Sequence, residues 1–413
     1  MSKPLKIIIT SSTFPASKTD KTPRFVEDQI LAFNNRYPDM SITVLAPHSA
    51  YIESAPTIDH PSYKEVRYHY FWPHRFEKLA GRGIGPALKE NPLRYILVPF
   101  LLIGQYLALS KLIKADRPDY IYAHWFMPQG IIAALLSEKH GISWLLTSHA
   151  NDIGVLNKLP LIGQRIVQKY LPTAQKITFV SRRTELKARG FFDKKNWDEV
   201  IAPKTKIIPM GVALATKHIK NDRLTKAPSE LLFIGRLSEK KGVKYLLEAF
   251  SRIDSSKFSK LRLTIAGDGQ LMNDLQALNS SINTYRDVNF LGYISGKSKF
   301  NTLGRADVLI LPSVETSDGD AEGMPVVLME GLARGKICIA SDVSGAEEIL
   351  EDGVNGYLFK AGNAEQLSDK IQYVLSLNKS DRKNLSENAR STAELFDWER
   401  IIKQHYSHLF DSF

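Results

Sequence analysis

Short apolar runs alternate with stretches of helical period along the whole chain. LKIIIT (5–10) is apolar almost throughout and is followed at once by Ser, Thr and Pro, which reads as a buried strand and its exit turn. Phe25 to Tyr37 puts Phe25, Ile30 and Phe33 roughly on one face of a helix. SITVLAP (41–47) and EVRYHYFW (65–72) read as strands rich in β-branched and aromatic residues. A long helix is expected over about 93–115, and DYIYAHW is the next strand. PQGIIAALLSEKHG carries Pro near its start and Gly at its end, the usual asymmetry of a helix. SWLLTSHAND is a strand that opens into a polar loop. A helix at 161–172, a strand at 175–180, a helix from Arg182 and the strand KTKIIPMGV complete this half.

Residues 213–229 are polar, charged and without period, which marks a linker. A second alternating set follows. ELLFIG (230–235) leads to a helix after Lys241, LRLTIAG to the helix QLMNDLQALNSS, and VNFLG to a short helix at 297–304. DVLILPS (307–313) feeds a glycine- and acid-rich loop and another helix, and KICIAS and GYLF are the last strands. Strand–helix alternation calls for parallel sheets covered on both faces. The expectation is α/β: two doubly wound Rossmann-like domains, 1–212 and 230–395, facing a cleft with their strand carboxyl ends, and a terminal helix 396–413 returning to the first.

A length of 413 residues suits two domains, and 43% apolar with 24% charged residues is ordinary for a globular protein. The single cysteine, Cys338, excludes a disulfide framework and reads as a small core residue, compatible with a reducing cytoplasm. The apolar run Tyr95–Leu109, broken by Pro99, Gly104 and Gln105, is expected to fall short of a membrane-spanning helix. Net charge of +11 suits an anionic partner, but no zinc-finger spacing or aromatic–basic signature supports nucleic acid. Residues 75–92 gather Arg75, Lys78, Arg82 and Lys89 among Gly and Pro and read as a mobile basic loop. With Arg182-Arg183 and Lys194-Lys195 it offers either ordinary solubilising charge or a peripheral contact with anionic lipid.

The chemistry concentrates in SVETSDGDAEGMPVVLMEG (313–331). Gly323-Met324-Pro325-Val326 is a turn at a helix start, where backbone N–H groups attract phosphate. Glu322 and Glu330 flank it with seven residues between them, and ionised carboxylates suit sugar hydroxyls better than phosphate. Glu330 is either a solvated helix residue or the acceptor for a ribose diol. Arg236 and Lys241 sit at a strand-to-helix junction, placed for a diphosphate unless they are merely a basic turn. Asp318-Gly319-Asp320 offers a carboxylate pair to a divalent metal or simply shapes the loop; since the basic residues already supply positive charge, no metal and no cofactor are assigned. In the first half His149 is a candidate donor to a sugar hydroxyl or phosphate, Asp152 an acceptor-side candidate, and His124 a structural residue.

FIGRLSEKKGVKYLLEAF, NFLGYIS, ADVLILPSVE and DGDAEGMPVVLMEGLARGK together resemble the donor half of family 4, retaining, GT-B-fold glycosyltransferases, with a Glu-x7-Glu motif at Glu322 and Glu330. TPRFVEDQ, ITVLAPH, YIYAHWFMPQG and LLTSHANDI are similar to bacterial members that build surface polysaccharides and glycolipids. The resemblance implies that Arg236 and Lys241 neutralise the donor diphosphate and that the Gly323–Val326 backbone holds sugar hydroxyls and phosphate. It further implies that Glu330 binds ribose, Glu322 the donor sugar, Tyr293–Ile294 the base, and His149 the donor sugar from the first domain. It implies an enzyme that needs no metal, a nucleotide-diphosphate sugar donor, and a glycan or lipid-linked acceptor, in the cytoplasm or at the inner face of the cell membrane. FDWERII, with Trp398, is similar to the family's terminal helix. Two features depart from the family: SSTFPASKTDKTPRF replaces a Gly-Gly loop, and Ser344-Gly345-Ala346-Glu347-Glu348 replaces Gly-Gly-x-Pro-Glu. Alternatives are a non-catalytic sugar-nucleotide or polysaccharide-binding protein on the same fold, or a transferase acting on a small soluble acceptor.

Overall fold

The computed structural model describes residues 4–410 apart from 18–19, 21, 53, 82, 150–151, 215–227, 283–286, 318 and 344. Most of the expected linker, and Arg82, Asp318 and Ser344, therefore lie outside the described residues. The chain divides into two compact units, one of Met1–Met210 with Trp398–Phe413, the other Gly211–Asp397.

The first unit is built on β1 (Lys6–Thr10), β2 (Ser41–Pro47), β3 (Thr57–Asp59), β4 (Lys64–Tyr68), β5 (Tyr120–His124), β6 (Ser143–Ser148), β7 (Lys176–Phe179) and β8 (Thr205–Ile207). They pair in the order β3-β4-β2-β1-β5-β6-β7-β8, all parallel except β3 against β4. β5 is buried from end to end, as a central strand covered on both faces must be. The helix Trp398–Leu409 packs on this unit: Tyr406 stacks on Tyr37 at 3.8 Å, and Ile402 and Leu409 join the core formed by Ile7, Ile9 and Phe33.

Two expectations for this unit need correction. β4 ends at Tyr68 rather than Trp72, because the buried carboxylate of Glu77 takes the N–H groups of Tyr70 and Phe71 out of the ladder. The segment 75–92 is built rather than loose: it holds the helix Ile84–Glu90 and buries Glu77, Leu79, Ala80 and Ala87.

The apolar run also extends further than expected. Pro92–Asp116 is a continuous helical segment of 25 residues with mean hydropathy 1.9, long and apolar enough by those measures to cross a membrane. One face, with Leu97, Leu101, Gln105, Leu109 and Ile113, is buried in the first unit. Gly104 lets it approach the backbone of His69 and Tyr70, which a Cβ would meet at 3.0–3.2 Å. The opposite stripe, Ile96, Phe100, Ile103 and Leu107, is exposed. The helix is thus buried along one face and exposed along the other.

The second unit carries β9 (Glu230–Ile234), β10 (Arg262–Ala266), β11 (Asp287–Gly292), β12 (Val308–Leu311), β13 (Ile337–Ser341) and β14 (Tyr357–Phe359), in the order β11-β10-β9-β12-β13-β14. Every pairing is parallel, so every strand delivers its exit loop to the same edge. The order reverses between β9 and β12, the switch point at which doubly wound sheets open a crevice for ligands. Cys338 lies wholly buried in β13, and burial raises its thiol pKa above the ordinary range.

Candidate active site

The exit loops of β9 and β12 meet at the switch point of the second unit. After β9, Gly235 and Arg236 lead into the turn Glu239–Lys241 and the helix Val243–Ser251. Gly242 joins turn to helix at φ +61, and a Cβ there would lie 1.8 Å from the carbonyl oxygen of Pro312, so only glycine lets the loop pass this close to the end of β12. Val314 N–H donates to Lys240 C=O at 2.8 Å and closes the contact. The β10 exit is drawn in likewise: a Cβ on Gly267 or Gly269 would strike the carbonyl oxygens of Gly235 and Leu237.

After β12 the chain makes a closed loop, in which Thr316 and Asp320 exchange backbone and hydroxyl hydrogen bonds. Asp320 pairs with Lys240 at 3.3 Å, so this half of the Asp-x-Asp holds the loop to the β9 turn. Glu322 comes next. Its Oε2 lies 2.9 Å from Lys241 Nζ and its Oε1 3.9 Å from Lys240 Nζ. Burial opposes ionisation of this carboxyl, but Lys241 and then Lys240 outweigh burial and hold its pKa below the ordinary value. Sequence reasoning treated Glu322 and Lys241 as binders of different parts of a ligand; the structure joins them in one ion pair.

Gly323 and Met324 follow, and Pro325 is the flanking residue of the helix Val326–Ala333 rather than its first turn. No side chain caps that helix start. Leu328 N–H is taken by Pro325 C=O at 2.9 Å, and the N–H groups of a helix's first turn have no partner within the helix. The turn after β13 braces Gly323: a Cβ on Gly345, at φ +72, would sit 2.5 Å from its carbonyl oxygen. Glu330 is held by Lys299, whose Nζ lies 2.7 and 2.6 Å from its two oxygens. Lys299 went unnoticed in the sequence, where its only signal is a basic residue at the start of the helix Gly296–Arg305 after β11. Ile294, beyond β11, packs partly against the core of this unit, and Tyr293 beside it is exposed. Arg236 is exposed just past β9.

In the first unit His149 follows β6 and His124 ends β5. His149 Nε2 and His124 Nδ1 are 3.0 Å apart, and Phe25 and Trp125 pack on the His149 ring. His124 is thus a positioning group for His149. Burial, then His405, drives the His149 pKa down to about 3, and burial with His149 and His405 lowers that of His124 as well. Burial thus favours the neutral form of both rings, and Nδ1 is the ring nitrogen of His149 that His124 does not engage. Asp152 has both oxygens engaged: Oδ2 accepts from Phe126 N–H and His149 N–H, Oδ1 from Ser148 Oγ and Ile153 N–H. Burial raises its pKa to about 6 despite those bonds. Asp152 is therefore a clamp between the β5 and β6 exits, not a carboxylate with an oxygen left for a ligand.

Comparison with known proteins places the chain in a family. The family model for "Glycosyl transferases group 1" matches residues 215–392, and that for "Glycosyl transferase 4-like" matches 85–181. An uncharacterized glycosyltransferase of Methanocaldococcus jannaschii, MJ1607, is 31% identical over 304 residues, 71% of this chain and 75% of the relative. This chain belongs to the group 1, GT4-type glycosyltransferases. Another relative of this glycosyltransferase, 29% identical over 350 residues (81% of this chain, 88% of the relative), is N,N'-diacetylbacillosaminyl-diphospho-undecaprenol alpha-1,3-N-acetylgalactosaminyltransferase of Campylobacter jejuni. Among solved structures, sucrose-phosphate synthase of Thermosynechococcus elongatus superposes with TM-score 0.76 at 18% identity, covering 99% of this chain and 100% of that one. HepE of Anabaena in complex with UDP gives TM-score 0.67 at 16% identity, covering 98% and 100%. At such identities the likeness is one of fold: two Rossmann-like units of GT-B type.

The histidine pair generates a prediction. The unfolded chain protonates these imidazoles near pH 6.5, whereas folded His149 takes a proton only near pH 3. Stability contributed by neutral His149, His124 and His405 is therefore full above pH 6.5 and falls as the pH drops below it. Asp152 acts in the opposite sense between pH 3.8 and about 6, as one group against three. The His149 ring resonance should stay flat from pH 8 to pH 5 while the melting temperature falls across the lower part of that range. A His149 titration centred near 6.5 would contradict this environment.

Proposed function

We propose that the chain is a retaining transferase that moves a sugar from a nucleoside-diphosphate sugar to a hydroxyl of a glycan or lipid-linked acceptor in polysaccharide or glycoconjugate assembly, without a metal. The observation that carries this reading is the Lys241–Glu322 ion pair at the switch point, beside an uncapped helix start. In the donor-free chain Lys241 neutralises Glu322. A donor diphosphate set on the Val326–Val327 N–H groups competes for the same ammonium, and Lys241 turns from carboxylate to phosphate. Glu322, released, accepts from hydroxyls of the donor sugar. Lys299 stands to Glu330 as Lys241 does to Glu322, so the ribose diol would replace an ammonium there too.

The acceptor oxygen attacks the anomeric carbon on the face from which the diphosphate departs. The bond from that carbon to the phosphate oxygen breaks, the new glycosidic bond forms, and the acceptor proton passes to a leaving phosphate oxygen. Negative charge grows on the diphosphate as the bond breaks, and Arg236, Lys241 and the helix end oppose it with charges already in place. Glu322 positions the sugar and does not attack it. His149, in its neutral form, offers Nδ1 as a hydrogen-bond partner rather than acting as a cationic acid.

A lipid-linked acceptor is favoured by the relative that acts on a diphospho-undecaprenol sugar and by the exposed stripe on Pro92–Asp116. Ile96 is 70% and Ile103 57% exposed on a helix that carries the exposed Lys111 and Lys114, Arg94 being paired with Glu90 at 2.8 Å. Apolar side chains beside basic ones suit the interface of an anionic membrane. Arg182, counted earlier among the basic clusters, is paired with Glu185 at 2.6 Å and adds little.

Two experiments test the reading. In a panel of nucleotide sugars scored by nucleotide release and thermal shift, one donor should turn over, and Lys241→Ala and Glu322→Ala should each lower its turnover by about 100-fold or more. Full turnover in both variants would refute the site assignment. The chain should also sediment with anionic vesicles at low salt, more weakly at high salt and after Ile96→Glu with Ile103→Glu. No sedimentation at low salt removes the membrane from the proposal.

A further inference from the structure

The first unit contains a second constellation that the transfer chemistry does not use. β2 and β4 are parallel neighbours with Pro47 in register with Tyr68, so the residues just past their carboxyl ends, His48 and His69, are set side by side. Their rings lie 4.4 Å apart. The turn His74–Phe76 then brings back Glu77, which is fully buried. Glu77 Oε1 accepts from the backbone N–H groups of Tyr70 and Phe71. Its Oε2 faces three imidazole nitrogens: His48 Nδ1 at 2.5 Å, His69 Nδ1 at 2.8 Å and His74 Nδ1 at 3.5 Å.

We propose that His48, His69 and Glu77 form a binding site for a divalent transition-metal ion of the zinc class, with His74 or water as the fourth ligand. The ligand atoms of the first three all lie within 4.8 Å of one another. In a tetrahedral zinc site with bonds near 2.0–2.1 Å, neighbouring ligand atoms stand about 3.3 Å apart. The present carboxylate-to-imidazole spacings of 2.5–3.5 Å lie within about 1 Å of that value. The donor set, imidazole nitrogen with one carboxylate, suits zinc, cobalt, nickel or copper and disfavours magnesium or calcium. Without an ion, His74 Nδ1 rests 3.0 Å from the carbonyl oxygen of Phe71, from which it would have to turn to serve as a ligand, and the His48 and His69 ring nitrogens crowd one carboxylate oxygen. With one, each turns its lone pair to the cation and Oε2 becomes a ligand.

Two further features fit. The carboxylate is oriented from behind by two backbone N–H groups, the outer support that metal ligands commonly have. The cluster also opens to solvent on one side, since the side chains of His69 and His74 are 40% and 49% exposed. An ion here would tie the exits of β2 and β4 to the turn 74–77 and stiffen that edge of the first unit.

The test uses the full chain without a histidine tag, stripped by chelator and titrated with Co2+ and then Zn2+. One Co2+ should bind per chain with visible d–d absorption, one equivalent of Zn2+ should displace it, and Zn2+ should raise the melting temperature. His69→Asn with His74→Asn changes exposed residues only, and should weaken binding at least tenfold and abolish the Zn2+-dependent rise. His140→Asn, at the end of another helix, should leave both intact. Absence of a one-to-one step in the wild-type chain, or binding unaltered in the His69/His74 variant, would overturn the proposal.

Discussion

A lysine ammonium and a glutamate carboxylate 2.9 Å apart, at the point where a parallel sheet reverses its strand order, set the terms for the rest of this molecule. Neither group is comfortable alone in a half-buried turn. Each is there because β9 and β12 are adjacent and parallel, so their exit loops must share one edge. Glycines at 242, 267 and 345 bring backbone into near contact around the pair. Lys240–Asp320 and Lys299–Glu330 repeat the pattern of ammonium against carboxylate at the same edge. The result is a surface on which ammonium and carboxylate groups compensate one another; in the proposed function a phosphate takes the ammonium and hydroxyl groups take the carboxylate.

The first unit is organised by different means. Its polar residues at the carboxyl ends of β5 and β6 are buried, and they hold one another. Asp152 clamps two loops, His124 orients His149, and Phe25 and Trp125 fix the ring. Where the second unit keeps charge ready for exchange, the first keeps a rigid, uncharged group.

Most of the fold was legible because alternation of short apolar runs and amphipathic helices leaves few architectures open. Lys241, Glu322 and the Gly323–Val326 turn were legible because glycine, proline and charge cluster there in a spacing that a simple loop has no use for. The pairing of Lys241 with Glu322 was not, since it depends on which strands are neighbours and not on sequence distance. Asp152 misled for a related reason: a carboxylate after a strand looks available until its four hydrogen-bond donors, three of them backbone N–H groups, are known. Glu77 went unread among the basic residues of 75–92, and with it the end of β4 and the histidine cluster around it.

The exchange of partners by Lys241 is the claim most open to direct test. Calorimetric binding of the nucleoside diphosphate that the wild-type chain prefers, lacking its sugar, isolates the phosphate contact from the sugar contact. Glu322→Gln should tighten that binding several-fold by freeing the ammonium, and should have no such effect once Lys241 is replaced by methionine. Weaker or unchanged binding by Glu322→Gln in the wild-type background would contradict the exchange.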